Sequence, residues 1–329
     1  MVEMLVVAEP LPQSFDFLGK TRHAGYNDPI APYHQPVLIY NPAAGEFRRH
    51  PERILQRTTA ALARASITPE LLATRHAGDG VNRAREAVER GADLVVVLGG
   101  DGTINEVVNG LMGSATPLAI LPGGTANCLA VELGLGTRPE AAAEQLAQCT
   151  PRRIALGRIH YPGCEARYFT LMCGAGFDGR VVYDLHAGLK RTAGKLAYWV
   201  AGFSQIVRKV DQIEVRANGV TYPCGFMLAS RIRNYGGDLE LARGASLSRG
   251  DFETVLFEGS NPLRYAWYML GVAAKSVQKM RGVHTLHTRR VEITSIAHLQ
   301  IDGEYLGRHT AVIEIVPDAL CLLIPPNYG

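Results

Sequence analysis

Residues 94–111, LVVVLGGDGTINEVVNGL, constrain this chain more than any other stretch. Leu94 to Leu98 form an unbroken aliphatic and β-branched run, which suits a parallel strand covered on both faces. Gly99, Gly100 and Gly102 then let the backbone approach whatever lies beyond the strand end, because no Cβ stands in the way. An amphipathic helix is predicted over 103–111. Its unpaired N–H groups point to the same place, a natural seat for phosphate. Asp101 stands among the glycines, where a carboxylate could hold Mg²⁺ on a nucleotide's phosphates. Glycines serving packing alone would leave the clustering of Asp101, Asn105 and Asn109 unexplained.

This turn matches neither common nucleotide fingerprint: no Gly-Lys-Ser/Thr follows it, and it lacks the GxGxxG spacing. A second glycine turn, Pro122-Gly123-Gly124-Thr125-Ala126-Asn127, follows an apolar strand at 117–121 and precedes a helix at 128–133. In an open parallel sheet both turns fall at the carboxyl ends of strands, where ligands bind. A first strand at 37–40 ends in Asn41-Pro42-Ala43-Ala44-Gly45, small residues whose amides could approach a phosphate. Taken alone, that Asn-Pro is an ordinary turn starter. A helix over 51–66, a strand over 69–75 and an alternating-charge helix over 81–90 complete the repeating pattern.

Around 139–153 the alternation is expected to stop. Short strands are predicted at 154–160, 168–173, 212–217, 221–229, 251–257, 287–294, 298–301 and 309–315, with two helical interruptions. The fold class is therefore α/β with two domains: an N-terminal α/β nucleotide-binding domain with a mostly parallel sheet, and a C-terminal, mostly antiparallel β domain. Residues 1–35, broken by Pro10, Pro12, Pro29 and Pro32, read as an extension. Residues 262–280 carry apolar side chains at helical spacing, for core packing or for the wall of an acyl-chain cleft. The six cysteines include no CxxC pair, so neither a zinc site nor a dithiol is suggested, and they read as reduced thiols. A net charge of +3 is too small to point to nucleic acid. No apolar run approaches the ~18 residues of a membrane span. A cytoplasmic protein is expected, with peripheral membrane association if it acts on lipids.

The string GGDGTxNEVxNGL resembles the diacylglycerol kinase catalytic-domain family, which includes sphingosine kinases, ceramide kinases and bacterial lipid kinases. More distantly it is similar to NAD kinases and phosphofructokinases, which share a GGDG turn. TRHAG at 74–78, LPGGTAN at 121–127, GAGFDG at 174–179 and IDGE at 301–304 extend the likeness from about residue 37 to the C-terminus. The resemblance implies ATP contacts at Asn41, Pro42, Ala43, Ala44, Gly45 and Thr74. It implies others at Gly99, Gly100, Asp101, Gly102, Thr103, Ile104 and Asn105, and at Gly123, Gly124 and Thr125. Asp101 would stand in the Mg²⁺ shell. Glu304 would be the catalytic base, with Asp302 supporting it. In a strand these two carboxylates project on one face, where at least one pKa is raised. Read alone, Asp302-Gly303 is instead a strong hairpin-turn signal. Asp178 would accept hydrogen bonds from a lipid headgroup, or satisfy a local turn. The implied plan is an extension (1–35), a nucleotide-binding domain (36–150), a lipid-substrate domain (151–312) and a segment returning to the first domain (313–329).

The chain also departs from the family's pattern. Cys128 stands where many diacylglycerol kinases have Asp, which weakens any claim on diacylglycerol as substrate. Arg243 replaces a usual Pro near Gly236-Gly237. Arg249 replaces an Asp that binds a structural Mg²⁺ in bacterial relatives, so that metal is expected to be absent, with Asp251 a weaker substitute. Arg231, Arg233, Arg243 and Arg249 would engage anionic phosphates or simply carry surface charge. Lys190, Arg191 and Lys195 with Tyr198 and Trp199 suit a membrane interface or a solvated helix face. Together these features predict an ATP-dependent kinase transferring the γ-phosphate to a lipid hydroxyl, of diacylglycerol or sphingoid type. The alternatives are an NAD kinase-like enzyme and a catalytically weak nucleotide-binding regulator. The predicted partner is lipid at a membrane surface, with no nucleic acid. An exposed strand edge would permit a homodimer.

Overall fold

Short aliphatic runs set the first half of the molecule. In a computed structural model, which describes residues 33–48, 50–188, 210–235 and 239–328, they form β1 (Pro36–Tyr40), β2 (Glu70–Ala73), β3 (Leu94–Gly99) and β4 (Leu118–Pro122). The extension at 1–32, the basic–aromatic patch at 190–199 and Gly236-Gly237 lie outside the described residues. The four strands pair in parallel in the order β2-β1-β3-β4. Every residue of β3 and β4 is buried, as unbroken aliphatic runs require. Helices α1 (Pro51–Arg64), α2 (Asp79–Glu89) and α3 (Asp101–Leu111) supply the crossovers. α3 begins two residues earlier than its periodicity suggests, so Asp101 is its first residue and Gly100 its N-cap.

The strand–helix alternation ends with β4 and the short helix after it, and one further α-helix follows before the antiparallel strands. After the short α4 (Cys128–Glu132) comes α5 (Pro139–Gln145), which packs against α1 and β4 and buries Ala142 and Ala143 completely. Three consecutive alanines give little periodic contrast in sequence, and only their packing reveals the helix.

The second half is antiparallel. It comprises β5 (Thr150–His160), β6 (Arg167–Phe169), β7 (Met172–Gly176), β8 (Ile213–Ala217), β9 (Val220–Ser230), the two-residue β10 (Asn234–Tyr235) and β11 (Leu239–Glu240), β12 (Phe252–Glu258), β13 (Val283–Thr288), β14 (Arg290–Ile301) and β15 (Glu304–Ile324). Helices α6 (Phe177–Gly188) and α7 (Pro262–Ala273) interrupt it. Two expected strands are each divided. The one at 287–294 turns at Arg289, between β13 and β14. The one at 168–173 bends at Thr170-Leu171, where the amides turn aside to bond Asp302.

All strands but β10 and β11 join one sheet, in the main order β13-β12-β9-β7-β14-β15-β4-β3-β1-β2. The 21-residue β15 joins its two regimes. It pairs antiparallel with β14 and β5, then meets β4 in parallel at Leu322 and Leu118. One buried apolar cluster fills the space between the parallel strands and their helices and extends under α7. A second lies among the antiparallel strands, where Phe169 stacks on Phe252 at 5.7 Å.

Among the described residues Arg231 is the largest fully buried side chain. Its Nη1 donates to the carbonyls of Arg249 (2.7 Å) and Asp251 (2.6 Å), and its Nη2 to those of Leu247 (2.9 Å) and Ala155 (3.2 Å). Burial pulls its pKa down to about 10, so it stays charged at neutral pH. The guanidinium fork thus holds the 247–251 loop against β5. Arg231→Met would leave four carbonyls without their donor. We expect a loss of about 3 kcal/mol or more in unfolding free energy by urea denaturation. Arg231→Lys, with a single nitrogen, is expected to recover only part of it.

Candidate functional site

The three turns that follow β1, β3 and β4 close on one another through backbone. Gly123 N donates to Gly99 O at 2.8 Å, and Asn41 N to Leu98 O at 3.1 Å. A Cβ built on Gly124 would stand 2.5 Å from Gly100 Cα, and one on Gly45 would stand 2.7 Å from Gly123 O. Gly45 also has φ +36°, a conformation other residues resist. No side chain larger than hydrogen fits at these two contacts, so the approach of the turns explains the glycines. The turn side chains lock each loop. Asn41 accepts from Ala43 N (2.9 Å) and donates to Thr103 Oγ1 (3.0 Å). Asn127, buried at φ 51°, accepts from Gly124 N (2.7 Å) and donates to Gly124 O (2.9 Å).

Asp101 opens α3 and is half-buried in this crevice. Its carboxylate accepts from the backbone N–H groups of Cys128 and Leu129 at the start of α4. It therefore ties the first glycine turn to the helix after the second. Burial raises its pKa; those two amides oppose the shift, and the charge of Asp302 adds to it. Gly102 is exposed with open space around it, while Thr103, Ile104 and Asn105 are buried. Ile104 is a core side chain, so only its backbone can face a ligand. Pro42, Ala43, Gly45 and Thr125 are exposed at the rim.

The late acidic turn arrives at the same place. Asn105 Nδ2 donates to Asp302 Oδ2 at 2.9 Å, across 197 residues of sequence. Asn109 pairs with both backbone groups of Tyr168, at 3.0 and 2.9 Å, so α3 also holds β6. The expected strand geometry at Asp302 is corrected. Asp302 and Gly303, at φ 46° and 84°, are the two central residues of a hairpin turn between the paired residues Ile301 and Glu304. Asp302 and Glu304 consequently do not share a strand face. Asp302 accepts from Thr170 N, Thr170 Oγ1, Leu171 N, Met172 N and Asn105 Nδ2, all within 3.0 Å. Burial nonetheless raises its pKa. Glu304 is exposed, and Arg167 forks its carboxylate at 2.8 and 2.6 Å. The neighbouring acid that Asp302 perturbs is Asp101.

Comparison with known proteins adds the family. Residues 35–159 match the model of the diacylglycerol kinase catalytic domain. Over these residues the chain is similar to the diacylglycerol kinase catalytic-domain family. A diacylglycerol kinase of Bacillus subtilis is 29% identical over 282 residues, covering 82% of this chain and 89% of that protein. One from Staphylococcus saprophyticus is 27% identical over 280 residues, with the same coverage. The crystal structure of a diacylglycerol kinase from Bacillus anthracis Sterne shares the fold, with TM-score 0.67 at 18% identity, covering 91% of this chain and 99% of that one. A second solved chain from that organism gives 0.75 at 20% identity, over 92% and 100%.

The remaining residues singled out from sequence fall as follows. Thr74 is buried at the end of β2, its N–H donating to Tyr40 O at 2.9 Å. Glu106 was not singled out, yet its carboxylate accepts from Gly78 N (2.8 Å) and Gly80 N (2.9 Å) and so fastens the 74–80 loop to α3. Its place five residues after Asp101 in the GGDG string was the available signal. Arg167 and Thr170, which hold the two late acids, had none. The four arginines do not gather into an anion site. Arg231 is structural, as above. Arg233 meets Glu132 at 3.6 Å, and Arg243 meets Glu240 at 3.5 Å. Arg249 forks Asp251 at 2.8 Å through both Nε and Nη2, holding that carboxyl below its usual range. Asp251 is therefore committed to a guanidinium.

Asp178 lies in the first turn of α6 and is wholly buried. It accepts from Tyr235 Oη and, at 2.7 Å, from Gln300 Nε2. Burial pushes its carboxyl up to about 6, against the pull of those two bonds. A carboxyl with a folded pKa above its unfolded value stabilises the fold while protonated and loses that contribution as pH rises through the folded pKa. The window here runs from about 4 to 6. Lowering the pH from 7 to 5 should therefore stabilise the protein relative to Asp178→Asn by about 1–2 kcal/mol, read from paired denaturation curves. A difference that does not change with pH would refute a raised pKa at this site.

Proposed function

We propose that the chain is an ATP-dependent lipid kinase that moves the γ-phosphate to a lipid hydroxyl. One observation carries this: the Asn105–Asp302 bond sets the acidic hairpin, and Glu304 with it, beside the glycine turns at the head of α3. The match of residues 35–159 to the diacylglycerol kinase catalytic domain and the diacylglycerol kinases among the relatives support it. The division into a nucleotide-binding part at 36–150 and a lipid-binding part at 151–312 belongs to the same proposal.

The residues fit a nucleotide. Turns that tolerate no Cβ form a backbone cradle, and exposed Gly102 leaves the α3 N-terminus open to phosphate. Asn41, Gly45, Gly99, Gly100, Thr103, Gly123, Gly124 and Thr125 would line that cradle, with Thr74 at its side. No three His, Cys, Asp or Glu side chains gather to hold a metal among the described residues. The oxygens of Asp302 are already taken by five donors, whereas Asp101 accepts from the amides of Cys128 and Leu129 and keeps lone pairs for a cation. One carboxylate is enough for Mg²⁺ that travels on a nucleotide. Bound there, the ion would neutralise phosphate charge, the main requirement of phosphoryl transfer.

Glu304 is the exposed carboxylate of the hairpin and would accept the proton of the lipid hydroxyl. Arg167 fixes its plane. That fork occupies both carboxylate oxygens, so one of the two bonds must open for the step. Asp302, held by its five donors, would support the hairpin that carries Glu304.

The test is transfer of γ-labelled phosphate from ATP to diacylglycerol, monoacylglycerol, ceramide, sphingosine and undecaprenol in micelles. Glu304→Ala is expected to lower kcat about 10²-fold or more with ATP binding intact. Asp101→Asn should weaken both ATP binding and turnover. Label in no lipid, with ATP bound, would overturn the proposal and turn attention to NAD as acceptor, then to a regulatory role.

A further inference from the structure

Helix α7 has two unlike faces. Its inner face is fixed in an aromatic cluster: Tyr265, Tyr268 and Val272 are buried, Tyr265 lies 5.5 Å from Phe177, and Tyr268 lies 4.9 Å from Phe257. Tyr265 Oη donates to Phe257 O at 3.0 Å. The rotation of the helix is thereby set. Outward, Leu263, Trp267 and Leu270 are 80%, 63% and 57% exposed. Their i, i+4, i+7 spacing puts them on one stripe. Core packing explains the inner residues and leaves these three unexplained. They are also three of the eight large hydrophobics exposed among the described residues, gathered on one helix.

The charge around the stripe has one sign. Residues 261–282 contain Arg264, Lys275, Lys279 and Arg281 and no Asp or Glu. Lys275, Lys279 and Arg281 are exposed. Arg243 Nη2 reaches Lys275 O at 2.6 Å, adding a cation beside the helix end. The acids in contact with this region are Glu240, which meets Arg243, Glu258, which meets Arg264 and His284, and the buried Glu253, which accepts from Gln278 Nε2 at 3.3 Å. An outward Leu-Trp-Leu stripe rimmed by lysine and arginine matches the interface of an anionic bilayer. Apolar side chains enter the acyl boundary, the indole sits at headgroup level, and the cations face anionic lipid. A second copy fits poorly, because a two-fold contact would set these cations against themselves.

We propose that the outward face of α7 is the surface by which this protein docks on an anionic membrane. The purpose of that docking rests on the lipid-kinase proposal, but its physical test does not. The full chain has two tryptophans, so Trp199→Phe leaves Trp267 as the sole reporter. With vesicles of phosphatidylglycerol and phosphatidylcholine, its emission should shift to the blue and be quenched by acyl-chain-brominated lipid. Binding should weaken as salt rises. Leu263→Glu with Leu270→Glu should weaken vesicle partitioning about tenfold or more, with ATP binding unchanged. Vesicle binding with an unchanged Trp267 spectrum would overturn the proposal, as would absence of vesicle binding. A double variant that converts a dimer to a monomer while leaving vesicle binding intact would assign the face to a second copy instead. Insertion of Trp267 without phosphorylation of any lipid would uphold the docking face and sink the kinase proposal. Turnover of dispersed short-chain lipid without insertion would do the reverse.

Discussion

The structure depends on one carboxylate. Asp302, at the tip of the β14–β15 hairpin, takes five donors from two other parts of the chain. Three consecutive backbone N–H groups, at Thr170, Leu171 and Met172, converge on it, and its own N–H donates back to Met172 O at 3.0 Å. Those amides leave regular pairing where the chain bends between β6 and β7. Without an acceptor they would be costly to bury. A carboxylate, with about four lone-pair positions, can serve donors arriving from several sides, which a single carbonyl oxygen cannot. The fifth donor, Asn105, belongs to α3, so the same group fixes the relation between the hairpin and the glycine turns.

The glycine turns show a complementary economy. Their convergence depends on side chains being absent, at Gly45, Gly100, Gly123 and Gly124, and on a few amides and acids that fold each loop onto itself. Asp101 joins two such loops through the amides of Cys128 and Leu129, using a group that could also face a cation. Any ligand in the cradle would therefore meet a surface whose shape is already set. Pre-set geometry reduces the ordering cost that binding must overcome.

Much of this was legible in sequence. Strands β1, β3 and β4 and the glycine turns after them announce themselves by aliphatic runs and local composition, and the parallel pairing follows. What was hidden depends on contacts distant along the chain. The break at Thr170-Leu171 exists because Asp302 is there to receive the amides, and no window around residue 170 contains that acid. Asp302-Gly303 gave a true local signal, a hairpin turn, alongside the similarity to a late DGE motif; the structure places the turn and the acidic cluster at one point. Arg231 looked like one more cation in a basic stretch. Its role is decided by four carbonyls, one of them on β5, that sequence spacing cannot gather.

The strand order has a consequence for how the molecule is made. β1 to β4 are complete at Pro122, yet the far edge of β4 is covered by β15, which begins at Glu304. On a ribosome adding ~5–20 residues per second, that edge waits roughly ten to forty seconds for its partner. Throughout that interval the nascent chain carries an unpaired, aliphatic parallel edge of the kind that invites misassociation. Asn105, already placed on α3, waits equally long for Asp302. The parallel half is thus synthesised well before the strand that closes it, and vectorial folding of this chain ends where its proposed chemistry begins.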